Sequence, residues 1–430
     1  MDKIVYAGVS NSSYQQASRD MSKLADLAVG AKQIERLVTR IGAERCAERD
    51  QASQAFQQLP LVERKQAPQV IQDAALSVYV PAPVTAPDLA VAGVDGGRLQ
   101  IFERGAANGA GATAPPSAAD QDEDAQATER KGHWREDKIG LLMTMTSEPA
   151  STDPCPELPE HFKDPTRIVK LVRQLKTKKA AAEEALEESP EPDQGQEALD
   201  DNGQQWQPPQ MQTRELVASR CRWEDFAVKL ALVAWSLGFF AAQRKAFLGD
   251  GSDNNWTIQR RYFSSFVAIL DIIHALSYVY AAALAGRTFH EGWPLYAQWM
   301  SWVWQGEVAQ VIAALALRQA ELGLPEADES ETSPRSIVAR ALGYLHNHQN
   351  KMRYPEYRRQ GLPITSSYVE SAVKQINQRV KGTEKFWTER GAESILHLRA
   401  DYLSDSDPLA DFWKRRQARQ TGQYPTTLAV

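Results

Sequence analysis

Two apolar stretches that each stop at an Asp-Gly pair, AVAGVDGG (residues 90–97) and AFLGDG (246–251), limit most what this chain can fold into. Each reads as a strand that ends on a carboxylate, with glycine letting the backbone turn away. Around them lie long stretches of helical periodicity, so the expected class is α/β. Either Asp-Gly alone is also an ordinary turn dipeptide. Together, each behind an apolar strand, they suggest carboxylates gathered at strand ends. Such a cluster repels itself unless a divalent cation lies between its members.

The chain of 430 residues is long enough for two or three domains, and 43% hydrophobic residues with 11 Trp fit a globular protein. Its formal charge of −6 averages very unequal segments and by itself says little about nucleic acid. Cys46, Cys155 and Cys221 are far apart and form no CxxC pair, which argues against a disulfide framework or a structural zinc site and favours a reducing cytoplasm. The opening MDKIVYAGVSNSS lacks the features of a secretion signal. Two apolar runs, 226–243 and 263–286, contain Lys229 and the pair Asp271 and His274, too costly at bilayer depth for membrane spans.

Residues 1–80 read as helices, with Leu24, Leu27, Ile34, Leu37, Val38 and Ile41 at helical spacing around a break at Gly30. This pattern fits a DNA-reading helix-turn-helix or a plain hairpin packed on the core. After the Pro-rich linker 80–87, the expected core runs over 88–274, beginning with strand, Gly-Gly turn and strand in DLAVAGVDGGRLQIFERG. GHWREDKIGLLMTM supplies a third strand, while 105–131 and the acidic, Glu- and Pro-rich tract 176–212 read as disordered inserts. A helix over about 223–245, a strand to Asp250, a helical turn over 254–261 and a strand over 266–270 follow. Residues 275–349 read as an all-helical, Trp-rich insertion, 350–415 as the C-terminal part of the core, and 416–430 as a tail.

Two further elements carry chemistry. DIIH places Asp271 and His274 after the next apolar strand, either as part of a site or as a hydrogen-bonded core pair. TSSYVE places Glu370 in the first turn of a helix, where it could complete a capping box with Ser367 or face a metal. Between Tyr344 and Arg390 nine basic residues (Lys351, Arg353, Arg358, Arg359, Lys374, Arg379, Lys381, Lys385, Arg390) face four acidic ones (Glu356, Glu370, Glu384, Glu389). Tyr354, Tyr357, Tyr368, Phe386 and Trp387 alternate with them, so phosphates could be held by cations and exposed bases by rings. Arg353, Arg358, Arg359, Lys374, Arg379, Lys381 and Lys385 are the expected DNA contacts. Asp137, in HWREDKIG, is a weaker candidate ligand that could instead pair with Arg135 or Lys138.

Asp after an early strand, Asp after a later one and Glu on a late helix is the order found in DDE transposases. The DxxH element is similar to the signature of their Mutator-like branch. The stretches VDGGRLQ, GHWREDKIG, AFLGDG, ILDIIHALSYVYAAA, WVWQGEV, YLHNHQNKMRYPEYRRQGLPITSSYVES and VKQINQRVKGTEKFW resemble the ISKra-type bacterial insertion-sequence transposases over roughly residues 13–415. The resemblance implies an RNase H-like mixed sheet with flanking helices, an all-α insertion between the second Asp and the Glu, and an N-terminal helical region. Carried over by position, it makes Asp95, Asp250 and Glu370 the metal-binding triad, with two Mg²⁺ or Mn²⁺ ions, and puts Asp271 and His274 at the edge of the site. It also implies cleavage and transfer of double-stranded DNA, with terminal inverted repeats and target as partners, by a homo-oligomer in the bacterial cytoplasm. Members of this family often begin with a cysteine-rich zinc segment. Its lack here implies a truncated copy or an internal start, so a non-catalytic DNA-binding remnant is the alternative, and a nuclease without joining activity is another.

Overall fold

The computed structural model describes residues 1–68, 71, 73–80, 84–102, 133–159, 162, 206–382 and 385–421. The expected insert 105–131 lies outside these residues, as does 176–212 up to residue 205 and the tail from residue 422.

Three helices come first: α1 (Asp2–Ser10), α2 (Tyr14–Ala25) and α3 (Ala31–Gln58). Strands β1 (Leu89–Ile101), β2 (His133–Thr146) and β3 (Gln210–Ser219) follow. Next are α4 (Trp223–Ser236), β4 (Arg244–Gly249), α5 (Asp253–Tyr262) and β5 (Val267–Leu270). Four helices succeed them, α6 (Ile272–Leu284), α7 (Phe289–Trp304), α8 (Val308–Leu322) and α9 (Pro334–His348). The chain continues through α10 (Tyr354–Arg359), α11 (Ser367–Val380), β6 (Phe386–Trp387), α12 (Glu389–Leu403) and α13 (Pro408–Thr421).

All six strands join one mixed sheet in the order β3-β2-β1-β4-β5, with β6 also paired to β1. β1, β2 and β3 are antiparallel neighbours, whereas β4 runs parallel to β1 and β5 parallel to β4. The sheet has helices on both faces, because Phe226 and Leu230 of α4 lie over Gly140 and Val369 of α11 lies over Gly93. That covering explains why Leu89–Val94 and Ala246–Leu248 are apolar without alternation.

Several expectations change. Gly96 and Gly97 make no turn: β1 continues through both, paired with β2 from Leu89 opposite Met145 to Ile101 opposite His133. A Cβ at position 97 would lie 2.8 Å from both carboxylate oxygens of Asp137, so close approach requires the glycine there. Helix α4 stops at Ser236, with Gly238 in the left-handed region, instead of running on to Lys245. Gln210–Gln212 belong to β3, a strand absent from the sequence reading, and residues 416–421 continue helix α13.

The N-terminal helices are part of the core. Arg45 of α3 donates at 2.7 Å to the buried Asp401 of α12 and at 2.8 Å to Glu48, and Arg49 donates at 2.7 Å to the same Asp401. Ile34, Val38, Ile41 and Phe56 turn a buried stripe inward along α3, whereas Leu24 and Leu27 are exposed. These contacts seat α3 on α12. Among the described residues no helix is long and apolar enough to cross a membrane.

Candidate metal centre

Three aspartates stand at one level of three adjacent strands. The parallel pairing of β1 with β4 ends at Gly93 opposite Leu248, so Asp95 and Asp250 each lie two residues further along. β4 pairs with β5 up to Gly249 opposite Leu270, so Asp250 and Asp271 are each the next residue. The main-chain N–H of Asp271 still donates to the carbonyl of Gly249 at 2.9 Å, holding that level beyond the ladder. Neighbouring strands are about 4.8 Å apart, so the three residues occupy adjacent positions across the sheet.

β1 regains a parallel neighbour, β6, only at Gln100 and Ile101. Asp95 therefore lies where β4 has left β1, in the middle of a long strand and not at its end. In this gap Asn255, buried in the first turn of α5, donates to the carbonyl of Val94 at 3.0 Å and to Oδ1 of Asp250 at 2.9 Å. One amide thus ties the residue before Asp95 to the carboxylate of Asp250. The N–H of Ser252 adds a 3.0 Å bond to that oxygen, and the phenol of Tyr344 donates to the carbonyl of Asp250 at 2.7 Å.

Asp271 is 1% exposed and serves as the N-cap of α6, its Oδ1 accepting from the N–H of Ile273 at 3.1 Å. Its Oδ2 accepts from Nδ1 of His274 at 2.6 Å and from the hydroxyl of Ser366 at 2.9 Å. Burial acts to raise the Asp271 carboxyl, but the hydrogen bond and charge of His274 and the Ser366 hydroxyl outweigh it and hold it below its usual range. Burial likewise acts to lower His274. The hydrogen bond and charge of Asp271, joined by the charges of Asp250 and Glu370, outweigh that and push it up to about 9.

Glu370 comes from the opposite direction, in the first turn of α11, whose Val369 packs over Gly93 of β1. Ser366, not Ser367, occupies the N-cap of this helix, and its hydroxyl goes to Asp271 instead of a helix N–H. Ser367 is the first helical residue and so is not the N-cap that a capping box with Glu370, one of its two readings, needs. Ligand atoms of Asp271, His274 and Glu370 all lie within 4.8 Å of one another, a trio that could hold a metal ion. Asp271 and His274, expected at the edge of the site, thus join Glu370 in one trio, which includes neither Asp95 nor Asp250.

Asp137, the other candidate ligand, is fully buried and is not one of the trio. It is buried opposite Gly97, and among the described residues neither of its oxygens has a hydrogen-bond partner.

The basic segment divides in two. Arg353, Arg359, Lys374 and Lys381 are exposed and Lys385 is half-buried, donating to the carbonyl of Gln378 at 2.9 Å. Arg358 and Arg379, expected to meet DNA, are corrected by burial. Arg358 donates to Asp153 at 2.9 Å and to the carbonyl of Trp304 at 3.0 Å while stacking on the Trp304 ring. Arg379 donates to the carbonyl of Gly8 at 3.0 Å between the rings of Tyr14 and Trp387. Arginines beside tryptophans read equally well as nucleic-acid contacts and as cation–π pins, so sequence could not separate them.

Asn255, Tyr344 and Ser366 were missed as site residues. Asn255, five residues beyond Asp250 at the start of a helix, offered a faint signal; Tyr344, 94 residues from Asp250, offered none. No family model matches the chain, and no curated protein or solved structure matches it either.

Proposed function

We propose that this chain is a DNA transposase of the insertion-sequence type, an RNase H-like enzyme that cuts element ends and joins them to target DNA. The observation that carries the reading is the row Asp95, Asp250 and Asp271 at the level of β1, β4 and β5, with Glu370 within 4.8 Å of Asp271 and His274. The strand arrangement supports it: three antiparallel strands in chain order, the first of them central, followed by two parallel strands. The four helices α6–α9 lie between the second Asp and the Glu, where the family resemblance expects a helical insertion.

The residues fit a divalent cation. The acidic surroundings alone raise His274 to about 9, a field that an added positive charge would offset. Mg²⁺ or Mn²⁺ prefers oxygen donors, which Asp95, Asp250 and Glu370 provide. A ligating imidazole must be neutral, so a cation on His274 would first displace its proton. The three carboxylates are therefore the better ligands, with His274 beside them. A pair of such cations would neutralise charge on the attacking and leaving oxygens of a phosphodiester.

The chain's own side chains do the rest. Asp271, an acceptor only, fixes His274 through Nδ1 and leaves the other ring nitrogen to donate to a phosphate oxygen. Ser366 anchors the start of α11, and with it Glu370, to the same carboxylate. Asn255 and Tyr344 set the Asp250 turn. Together these bonds orient the phosphate before chemistry begins.

The test is cleavage of pre-nicked duplexes made from the DNA flanking the gene, with Mg²⁺ or Mn²⁺. Asp95→Asn, Asp250→Asn and Glu370→Gln are each expected to abolish cleavage and strand joining while duplex binding persists. Full activity in any one variant removes that residue from the triad. Cleavage by the parent without joined product would make the protein a nuclease, and binding without cleavage a DNA-binding remnant.

A further inference from the structure

At the free edge of β5 lies a groove of about 460 Å³, bounded by the last turn of α5 and by residues 350–360. Three cations reach it: Arg260, Lys351 and Arg353. The acid lining it, Glu356, is engaged by Arg353 at 3.7 Å and by the amide of Gln360 at 3.0 Å. Arg260 donates to the hydroxyl of Thr257 at 3.1 Å and Lys351 to Asn350 at 3.4 Å, and among the described residues neither has an acidic partner. The Lys351 ammonium rests 4.9 Å above the Trp256 ring, and burial followed by the charge of Arg260 push its pKa down. Two cations that repel across a groove gain from an anion placed between them.

A free sheet edge could instead recruit a peptide strand. Here the phenol of Tyr354 donates to the carbonyl of Leu270 at 3.1 Å and that of Tyr357 to the carbonyl of Ala268 at 3.4 Å. Half of the carbonyls of this four-residue strand are thereby taken, so strand addition is poorly served. Charge, not backbone pairing, selects the occupant.

We propose that this groove binds the sugar-phosphate backbone of the DNA whose scissile phosphate sits at the carboxylate row. The inference rests on the DNA-processing reading above and adds where the strand is gripped. Ala268 on the groove floor and Asp271 at the metal centre are three residues apart along β5, roughly 10 Å at strand rise. That span covers about three phosphate steps of one DNA strand, so a single duplex can lie over both.

The experiment measures binding of random-sequence duplex DNA over a KCl series for the full chain and for Arg260→Gln/Lys351→Gln, with thermal melting as the folding control. The double variant is expected to bind more weakly on every sequence, and its slope of log K against log salt to be shallower by about two. The charge-preserving Arg260→Lys/Lys351→Arg should keep the parent slope. Should the double variant fail to fold, Arg260→Glu alone, at an exposed position, is expected to flatten the slope. A folded variant with parent affinity and slope overturns the groove while leaving the enzyme reading intact. Failure of the parent chain to bind any duplex overturns both. If the substitutions abolish thermal stabilisation by inorganic phosphate but leave DNA binding unchanged, the site takes free phosphate and the proposal is wrong.

Discussion

The Tyr344 phenol and the main-chain carbonyl of Asp250 are joined by a 2.7 Å hydrogen bond that ties helix α9 to the turn carrying a carboxylate of the candidate centre. The ring of Tyr344 stacks on Tyr278 of α6 at 3.8 Å and occupies the space a Cβ on Gly251 would need. Gly251 has φ +101°, a conformation side chains rarely adopt, so ring and turn specify each other. Helix α9 therefore reaches the Asp250 turn through this aromatic side chain.

Tyr344→Phe keeps the stack and removes only the hydrogen bond, worth about 1 kcal/mol net. The expected result is a small fall in melting temperature with a severalfold loss in Mg²⁺-dependent stabilisation and in strand cleavage. An unchanged Mg²⁺ titration of the melting temperature would mean that Tyr344 merely packs.

Asn255 tests the link between β1 beside Asp95 and the carboxylate of Asp250 more directly. Asn255→Ala leaves the Val94 carbonyl and the Asp250 carboxylate without their shared donor, at an expected cost of about 1–3 kcal/mol. Asn255→Asp instead places a second carboxylate against Asp250, and the like charges repel. Its destabilisation should grow as pH rises through the carboxylate range and shrink again when Mg²⁺ or Mn²⁺ is added. A loss independent of both pH and metal would show that the two groups do not share one field.

The site was partly legible because its acids sit at positions that leave a local mark. Asp250 and Asp271 each end an apolar run, and Glu370 begins an amphipathic helix. What joins them is not local. The level of Asp95 with Asp250 depends on a parallel register across about 150 residues, which apolar content alone cannot set. Gly96-Gly97 misled because a glycine needed for close approach and one needed for a turn look alike in sequence. β3 was lost because its first residues, Gln210–Thr213, continue the polar composition of the preceding tract, and within its buried part, Glu215–Ser219, only Leu216–Ala218 are apolar. Sheet order, by contrast, needs contacts that no single segment encodes.

Arg358 separates structural from functional basic residues. It is fully buried, bonded to Asp153 and stacked 4.2 Å from the Trp304 ring, so it pins the segment after β2 to α7 and α10. Arg358→Ala would leave Asp153 without its partner, and a loss of about 3–5 kcal/mol is expected. Arg358→Lys should recover only a fraction, because an ammonium can neither fork onto a carboxylate nor stack flat on an indole. Chemical denaturation reads the stability, and a salt series reads DNA binding. A parent-like melting curve with weakened DNA binding would reverse the assignment.

Asp137 predicts an unusual pH dependence of stability. Burial opposite Gly97, with neither oxygen hydrogen-bonded among the described residues, pushes its carboxyl up to about 7 from the ordinary 3.8. Between those two values the folded chain holds a proton that the unfolded chain releases. This group's contribution is therefore fully present below about pH 4 and is lost as pH rises through about 7. The gap between these two values corresponds to roughly 4 kcal/mol as an upper figure. Asp137→Asn removes the titration while keeping the shape, so it should be more stable than the parent at pH 8, with the advantage shrinking steadily toward pH 4. Denaturant unfolding of both chains at several pH values measures the difference, and a constant gap would mean that the buried carboxyl is ionised throughout.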